Sequence, residues 1–259
     1  MKQLSEKQIL DNWNKLIQLI EDTFSGERKE KLLEMYKYFE DRMSVAPASG
    51  KAAYHNAMVG GYVEHVLHVT DCAIQIKKLW ESNGAMINFT DEELIFAAMH
   101  HDLGKVGDLN QDYYIPQDSE WHRKNRGEIF KHNPSLQYMT VTDRAIFLLN
   151  HFGIQMSQWE YIGLKLTDGL YEEGNKSYYI SYNPDWSLKS NIAYILHQAD
   201  MMATHIEYDE WQKLDEESNT QLQTNFKKAV DTRKKGEVQS PKLSEKSQDL
   251  FDELFGDKK

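Results

Sequence analysis

A histidine and an aspartate stand side by side at the end of an apolar run, and a lysine follows closely. The doublet is His101-Asp102, the run covers residues 94–99, and the lysine is Lys105. Imidazole nitrogen and carboxylate oxygen bind divalent metals, and a nearby ammonium stabilises negative charge on a phosphoryl group. Adjacent side chains of a helix point about 100° apart, so both can bind a cation only near a helix end or across a cluster of two metals. We predict that Gly104 supplies the turn that ends this helix.

Two other apolar segments each carry one suitable ligand. His65 lies in the middle of a helical run, and Asp200 lies far downstream among Ala, Met and Leu. A carboxylate in such surroundings is costly to bury unless it is paired or bound to a metal. We therefore predict that both residues join the His101-Asp102 doublet around one divalent cation. In the alternative interpretation each is an ordinary core residue. Three separate segments would then each carry a metal-ligand residue type by chance.

The order of these four residues resembles the H…HD…D signature of the HD phosphohydrolase superfamily. Two further stretches are similar to HD-domain 3′→5′ exoribonucleases: residues 46–65 to their PAA…HH…GGLLEH motif, and residues 169–174 to their GKYEFG motif. The resemblance spans about residues 46–205, which is most of the chain before its polar C-terminal region.

This resemblance implies a helical phosphohydrolase domain with a catalytic metal site. The mixed nitrogen and oxygen ligands suit Mn²⁺, Mg²⁺, Fe²⁺ or Ni²⁺, and they do not select one of these metals. Asp102 and Lys105 are the predicted catalytic residues, because one holds the metal and the other stabilises charge that develops on phosphorus.

The chain departs from those exoribonucleases in two places. Thr167-Asp168 stands where the family usually has a His-His pair, and the N-terminal region is too short for the family's nucleic-acid-binding β-barrel. A second metal would therefore need other ligands. The candidates are His132 and His151, in a region from which HD enzymes with extra metals recruit histidines, and Asp168, which could replace an imidazole.

Candidate substrate ligands lie on both sides of the doublet. His55 precedes His65 on the same predicted helix, and residues 121–128 combine a tryptophan, a histidine and three cations in an acidic protein. Arginine can bind phosphate through two hydrogen bonds, and an aromatic ring can stack on a base. We predict a phosphate clamp in this segment; the alternative is a solvated surface paired with nearby acids. The clamp residues would be His122, Arg123, Lys124 and Arg126.

Composition limits the class of function. The chain has 259 residues and a formal net charge of −11, which opposes non-specific polynucleotide binding because that binding rests on clustered Lys and Arg. Its single cysteine, Cys72, excludes an internal disulfide and suits a reducing compartment.

No apolar stretch approaches the roughly 20 residues that span a bilayer, and the N-terminus lacks a signal-like segment. We expect a cytoplasmic protein that does not contact membranes.

Helices must position the candidate ligands. Apolar residues recur at helical spacing over residues 5–24 and 27–43, which predicts an N-terminal hairpin that packs on the catalytic domain or forms a dimer contact. Further predicted helices cover residues 54–80, the run from Thr90 to the doublet, and residues 141–151, 156–166 and 188–211. Residues 106–120 are predicted to be a loop, and residues 176–186 a loop with at most a short strand pair. The predicted fold is an all-α helical bundle with segments 1–45, 46–211 and 212–259.

The C-terminal segment 212–259 is polar and is predicted to be a flexible tail. Residues 247–256 end it with large apolar side chains spaced four apart, as on one side of a short helix. This peptide either folds onto the protein's own core or docks in a partner's groove. It is similar to the C-terminal peptides that phage replication and transcription proteins insert into a sliding clamp, which would make the chain phage-encoded.

These features predict a metal-dependent phosphohydrolase that cleaves a phosphoester of a nucleotide or short nucleic acid. One alternative is a 3′→5′ exonuclease on single-stranded RNA or DNA, which the resemblance favours and the acidic charge opposes. A cyclic-nucleotide phosphodiesterase is another. A third alternative, from a different class, is a non-catalytic HD scaffold that docks to a replication partner through residues 247–256.

Overall fold

The regular structure of the protein is helical apart from one small sheet in the described part of the chain. This computed structural model describes residues 3–52 and 54–234, so residues 247–256 lie outside them. The predicted all-α class is confirmed. The α-helices are α1 (Glu6–Thr23), α2 (Gly26–Met43), α3 (Gly61–Ser82), α4 (Asp91–His100), α5 (Glu120–Arg126), α6 (Val141–His151), α7 (Gln158–Lys165), α8 (Lys176–Tyr179) and α9 (Ile192–Lys234).

Short 3₁₀ helices and one β-ribbon connect the α-helices. The ribbon pairs β1 (Tyr114–Pro116) antiparallel with β2 (Phe130–His132), on either side of α5. Residues 176–186, predicted to be a loop with at most a short strand pair, contain α8 and a 3₁₀ helix and no strand. The 3₁₀ helices are Leu103–Val106, Gly169–Tyr171, Glu173–Asn175 and Pro184–Trp186.

Side-chain caps fix the starts of several helices. The side chains of Ser5, Thr90 and Ser157 each accept a hydrogen bond from the backbone N–H three residues on, and each N-cap backbone N–H donates to the Glu or Gln side chain at that position. This reciprocal arrangement satisfies two backbone groups that would otherwise lack partners. It explains why the predicted starts of α1 and α4 agree with the observed ones.

The start of α3 differs from the prediction. The helix was expected to begin near Tyr54 and to contain both glycines, but it begins at Gly61, after Gly60 at a φ of +80°. A side chain on Gly61 would collide with the Asn56 carbonyl. The glycines therefore allow a tight turn to enter the helix, and His55 lies in that turn rather than on α3.

The two N-terminal helices pack on the rest of the helical core. α1 contacts α2 and α3, while α2 also contacts the 3₁₀ helix that follows α4. Residues Met1–Leu214 form one compact unit, and burial of its apolar side chains is the main stabilising contribution. Core residues contributed by several helices include Leu16, Leu32, Phe39, Val66 and Leu148.

The last helix is longer than its apolar pattern indicates. α9 continues beyond residue 211, where the sequence predicted a polar tail to begin, through the last described residue, Lys234. Glu, Lys and Gln are good helix formers, so they can extend a helix that a packed apolar segment has already started. Among the described residues, no helix is both long enough and apolar enough to cross a membrane.

Candidate metal centre

Three helices bring the four predicted ligands together. His65 lies on α3, His101 and Asp102 follow the last residue of α4, and Asp200 lies on α9. Two groups of side chains have their ligand atoms within 4.8 Å of one another, and His65 belongs to both. Such buried groups could hold a metal ion. The groups are His65 with His101 and Asp200, and His65 with His55 and Asp102.

The distances between ligand atoms match those around a shared cation. His65 Nε2 lies 3.3 Å from Asp200 Oδ1 and 3.7 Å from Asp102 Oδ2. His101 Nε2 lies 3.5 Å from Asp102 Oδ2 and 3.8 Å from Asp200 Oδ1. Most of these separations are too long for hydrogen bonds. Atoms that each lie about 2 Å from one metal would be separated by roughly 3 Å or slightly more.

Three buried imidazole nitrogens have no hydrogen-bond partner among the described residues. They are the Nε2 atoms of His55, His65 and His101. Buried polar atoms in folded proteins almost always have a partner, so three such atoms in one cluster require an explanation. A bound cation supplies one, because it accepts a lone pair from each nitrogen that coordinates it.

Hydrogen bonds orient two of these rings toward the cluster. His101 Nδ1 donates to the Ala98 carbonyl at 2.7 Å, which leaves the Nε2 lone pair free for a metal. His65 Nδ1 lies 3.0 Å from Glu207 Oε2, and the other Glu207 oxygen lies 2.9 Å from Nδ1 of His68. A carboxylate behind an imidazole in this way is typical of metal-binding histidines.

Glu207 is a site residue that the sequence analysis missed. It is buried and follows Asp200 by two helical turns on α9, so both carboxylates lie on the same side of that helix. The signal was present in the sequence as a second acid at position i+7 from Asp200. An acid in this more polar part of the sequence is not conspicuous, and its role is apparent only from its position behind His65.

The charges of the cluster suit a divalent cation. Burial acts to raise the pKa of Asp102, but the Lys105 ammonium, whose Nζ lies 2.6 Å from Oδ2, and His101 hold it below its ordinary value. The pKa of Asp200 is lowered as well, because His65 and His101 outweigh burial. With neutral imidazoles, the three carboxylates of Asp102, Asp200 and Glu207 outnumber the single ammonium by two.

The surrounding carboxylates favour the protonated form of His65. Burial lowers the pKa of His65, but Glu207 and Asp200 outweigh burial and raise that pKa to about 10. The same ion pair lowers the pKa of Glu207 to about 2, against the effect of burial. The cluster therefore attracts positive charge strongly enough to keep His65 protonated at neutral pH.

His55 lies against the cluster. Its ring centre is 4.5 Å from that of His65, and its backbone carbonyl accepts a hydrogen bond from the Ser49 hydroxyl at 2.8 Å. Burial, followed by the charges of His65 and Lys105, lowers the pKa of His55 to about 3. The ring is neutral at physiological pH, so Nε2 can bind a metal or accept a hydrogen bond. Its predicted role in substrate binding stays a prediction.

Gly104 has a different role from the one predicted. The chain turns at Asp102, with φ of −105° and ψ of 10°, and Gly104 lies within the 3₁₀ helix that follows. A side chain on Gly104 would collide with the backbone carbonyl of Val141, the first residue of α6. The glycine therefore lets α6 approach the backbone beside the doublet and does not terminate α4.

The predicted second metal site is not assembled from its three candidates. His132 is exposed at the end of β2, with its ring centre 4.0 Å from that of Tyr113, and His151 is exposed at the end of α6. Desolvation, then the charges of Asp102 and Asp200, raises the pKa of Asp168, so this residue lies within electrostatic reach of the cluster. Among the described residues, none of the three belongs to a group of potential metal ligands.

The basic segment predicted to clamp phosphate forms α5, and its side chains have local partners. Arg123 donates to the Gln117 carbonyl at 3.0 Å, and Lys124 pairs with Glu120 at 2.6 Å. His122 Nδ1 lies 2.8 Å from the Ser119 hydroxyl, and the Arg126 guanidinium lies 5.4 Å from the centre of the Trp121 ring. These contacts favour the alternative interpretation, a solvated surface with neighbouring partners.

No family model, curated protein or solved structure matches the chain.

Proposed function

We propose that this protein is a metal-dependent phosphohydrolase of the HD type that cleaves a phosphoester of a nucleotide. One observation carries the proposal: buried histidine nitrogens without hydrogen-bond partners face two ionised carboxylates. A divalent cation would coordinate the histidine nitrogens and balance the carboxylate charges at the same time, which neither the Lys105 ammonium nor a proton on His65 does.

The ligands we propose are His65, His101, Asp102 and Asp200, with His55 beside them. Nitrogen and carboxylate ligands without thiolate favour Mn²⁺, Mg²⁺, Fe²⁺ or Ni²⁺ over metals that prefer sulfur. The bound cation would supply Lewis-acid polarisation of a phosphoryl oxygen and activate water at neutral pH.

Two residues of the chain would support this chemistry directly. Burial lowers the pKa of Lys105, but Asp102 outweighs burial and raises it, so the ammonium stays protonated beside the cluster. A fixed positive charge there would stabilise negative charge that develops on the phosphoryl oxygens. Glu207 would hold the His65 ring in place through Nδ1.

The direct test uses metal-stripped protein reloaded with Mn²⁺. We expect it to bind Mn²⁺ in isothermal titration calorimetry and to hydrolyse p-nitrophenyl phosphate, bis-p-nitrophenyl phosphate or a nucleotide. Asp102→Asn should reduce hydrolysis to background, because it removes a charged ligand and the partner of Lys105. Asp22→Asn is the matched control, since Asp22 is exposed on α1 and bonds to Gln18. If wild type and Asp102→Asn are equally inert with every metal and substrate, the proposal fails.

A further inference from the structure

A cavity of about 420 Å³ is connected to the candidate metal centre through one lining residue, Lys105. Its walls come from the end of α2, the turn that precedes α3, and the β-ribbon. Lys105 lines it, and the same ammonium lies 2.6 Å from the Asp102 carboxylate. A ligand in the cavity would therefore contact Lys105, whose ammonium pairs with one of the proposed metal ligands.

One side of the cavity is an aromatic corner. Tyr113, Tyr114 and Phe130 line it, and the rings of the two tyrosines are 4.8 Å apart and nearly perpendicular, at 89°. A planar ring can stack on one tyrosine while its edge meets the face of the other. Burial, together with Tyr114, raises the pKa of Tyr113 to about 12, so its hydroxyl is neutral and can donate a hydrogen bond.

The charges on the walls do not suit a nucleic-acid strand. Two acids, Asp41 and Asp112, accompany the two bases Arg42 and Lys105. The Arg42 guanidinium already has partners within the protein: its Nε lies 2.7 Å from Asp112 Oδ1, and its Nη1 donates to two backbone carbonyls. Proteins that bind single strands instead follow the backbone with a positively charged groove over several nucleotides.

The size of the cavity also indicates one small ligand. Small-molecule sites commonly occupy about 300–1,000 Å³ and combine an apolar lining with a few polar groups. At about 420 Å³ this cavity lies near the lower end of that range. It has an aromatic wall at one side and a single ammonium at the border of the cluster.

We infer that this cavity binds the base and sugar of a single nucleoside phosphate, with the phosphate directed toward Lys105 and the metal cluster. The inference rests on the proposed phosphohydrolase function and specifies its substrate as a mononucleotide rather than a strand. The base would lie in the corner formed by Tyr113, Tyr114 and Phe130.

The test blocks the cavity without touching the cluster. Val59 lines the cavity and its side chain is 49% exposed, so Val59→Trp can fill the space with little effect on folding. Leu79→Trp is the control, because Leu79 is 60% exposed on α3. Val45→Trp, at a second exposed position of the same wall, replaces Val59→Trp if that variant melts at a lower temperature than wild type.

We expect Val59→Trp to lower kcat/KM for nucleoside monophosphates at least tenfold and to leave p-nitrophenyl phosphate hydrolysis within twofold of wild type. Adenosine, guanosine, cytidine or thymidine should inhibit the wild-type hydrolysis of p-nitrophenyl phosphate and should not inhibit the variant. Equal losses on both substrates, or no loss on either, would overturn the inference. Faster turnover of a ten-nucleotide single strand than of mononucleotides would overturn it too.

A binding measurement separates this inference from the proposed function. If wild type hydrolyses none of these substrates, the phosphohydrolase proposal fails. Equilibrium dialysis of nucleoside monophosphates with Mn²⁺ then tests whether the cavity binds a mononucleotide. Binding to wild type and to Leu79→Trp, with at least tenfold weaker binding to Val59→Trp, supports the cavity as a mononucleotide site. The same affinity for all three proteins, or binding to none of them, overturns it.

Discussion

The candidate metal centre and helix α5 are both predicted from the sequence to be functional because of their charged and histidine residues, but their side chains differ in whether they have partners. In the cluster, His55, His65 and His101 keep buried nitrogens without hydrogen-bond partners. On α5, Lys124 is largely exposed and paired with Glu120, and Arg123 is bonded to a nearby carbonyl. The cluster has unused capacity to bind a ligand, whereas the side chains of α5 are already engaged.

This difference shows that residue type and proximity in the sequence do not by themselves identify a site. A surface ion pair contributes little free energy, typically about 0–1 kcal/mol, and forms wherever opposite charges are close. A buried nitrogen without a partner has a real cost, about 1–3 kcal/mol. A protein tolerates several of them together when a ligand removes that cost.

The largest change in metal affinity is expected for a substitution of Glu207, a residue of the candidate metal centre that lies outside the sequence motif. Glu207→Gln keeps a hydrogen-bond acceptor for His65 Nδ1 and removes the negative charge. We expect Mn²⁺ affinity to fall by about 10- to 100-fold, measured by isothermal titration calorimetry. Glu40→Gln, which removes a carboxylate paired with Lys37 on α2, should leave the affinity unchanged. An unchanged affinity in Glu207→Gln would mean that Glu207 has a structural role alone.

The next effect, about tenfold for each pH unit, is expected from pH. Because His65 has a pKa of about 10 without metal, a cation that binds below that pH must displace its proton. Raising the pH removes this competition, so Mn²⁺ affinity should increase by about tenfold per unit between pH 7 and 8.5. Titrations in buffers of different ionisation enthalpy should show about one proton released per ion. A constant affinity over this range would contradict the assignment of His65 as a ligand.

The smallest effect on catalysis is expected for substitutions on α5. A large effect there would contradict the difference drawn between α5 and the candidate metal centre. The triple variant Arg123→Gln, Lys124→Gln and Arg126→Gln should change kcat/KM for a nucleotide by less than about twofold, since these side chains have local partners. The free energy of unfolding should change by about 1 kcal/mol or less, as measured by urea denaturation. A loss of tenfold or more in kcat/KM would restore the phosphate-clamp hypothesis.

The sequence predicted most helices because their periodicity and caps are local signals. The predicted and observed bounds of α6 agree, since its apolar spacing starts directly after the Thr140 cap. The four candidate ligands could also be selected, because a histidine or an acid within an apolar helix is conspicuous. The prediction that these ligands converge on one site depended on their resemblance to a known motif and not on their spacing alone.

Features that depend on tertiary contacts were missed. The β-ribbon joins Tyr114 and His132 across α5, and three-residue strands have no periodicity that a sequence can reveal. The requirement for Gly104 comes from the approach of α6, whose first residue lies far along the chain. Glu207 was missed for a similar reason, because its importance appears only once it is placed behind His65.

The separation of the site residues along the chain has a consequence for biosynthesis. His65 and Glu207, which are hydrogen-bonded in the native protein, are 142 residues apart. A nascent chain on the ribosome therefore cannot assemble this centre until nearly all of the compact unit has emerged. Assembly of the centre is therefore one of the last events in the folding of this unit, and a cation held by all of the proposed ligands would bind only after that event.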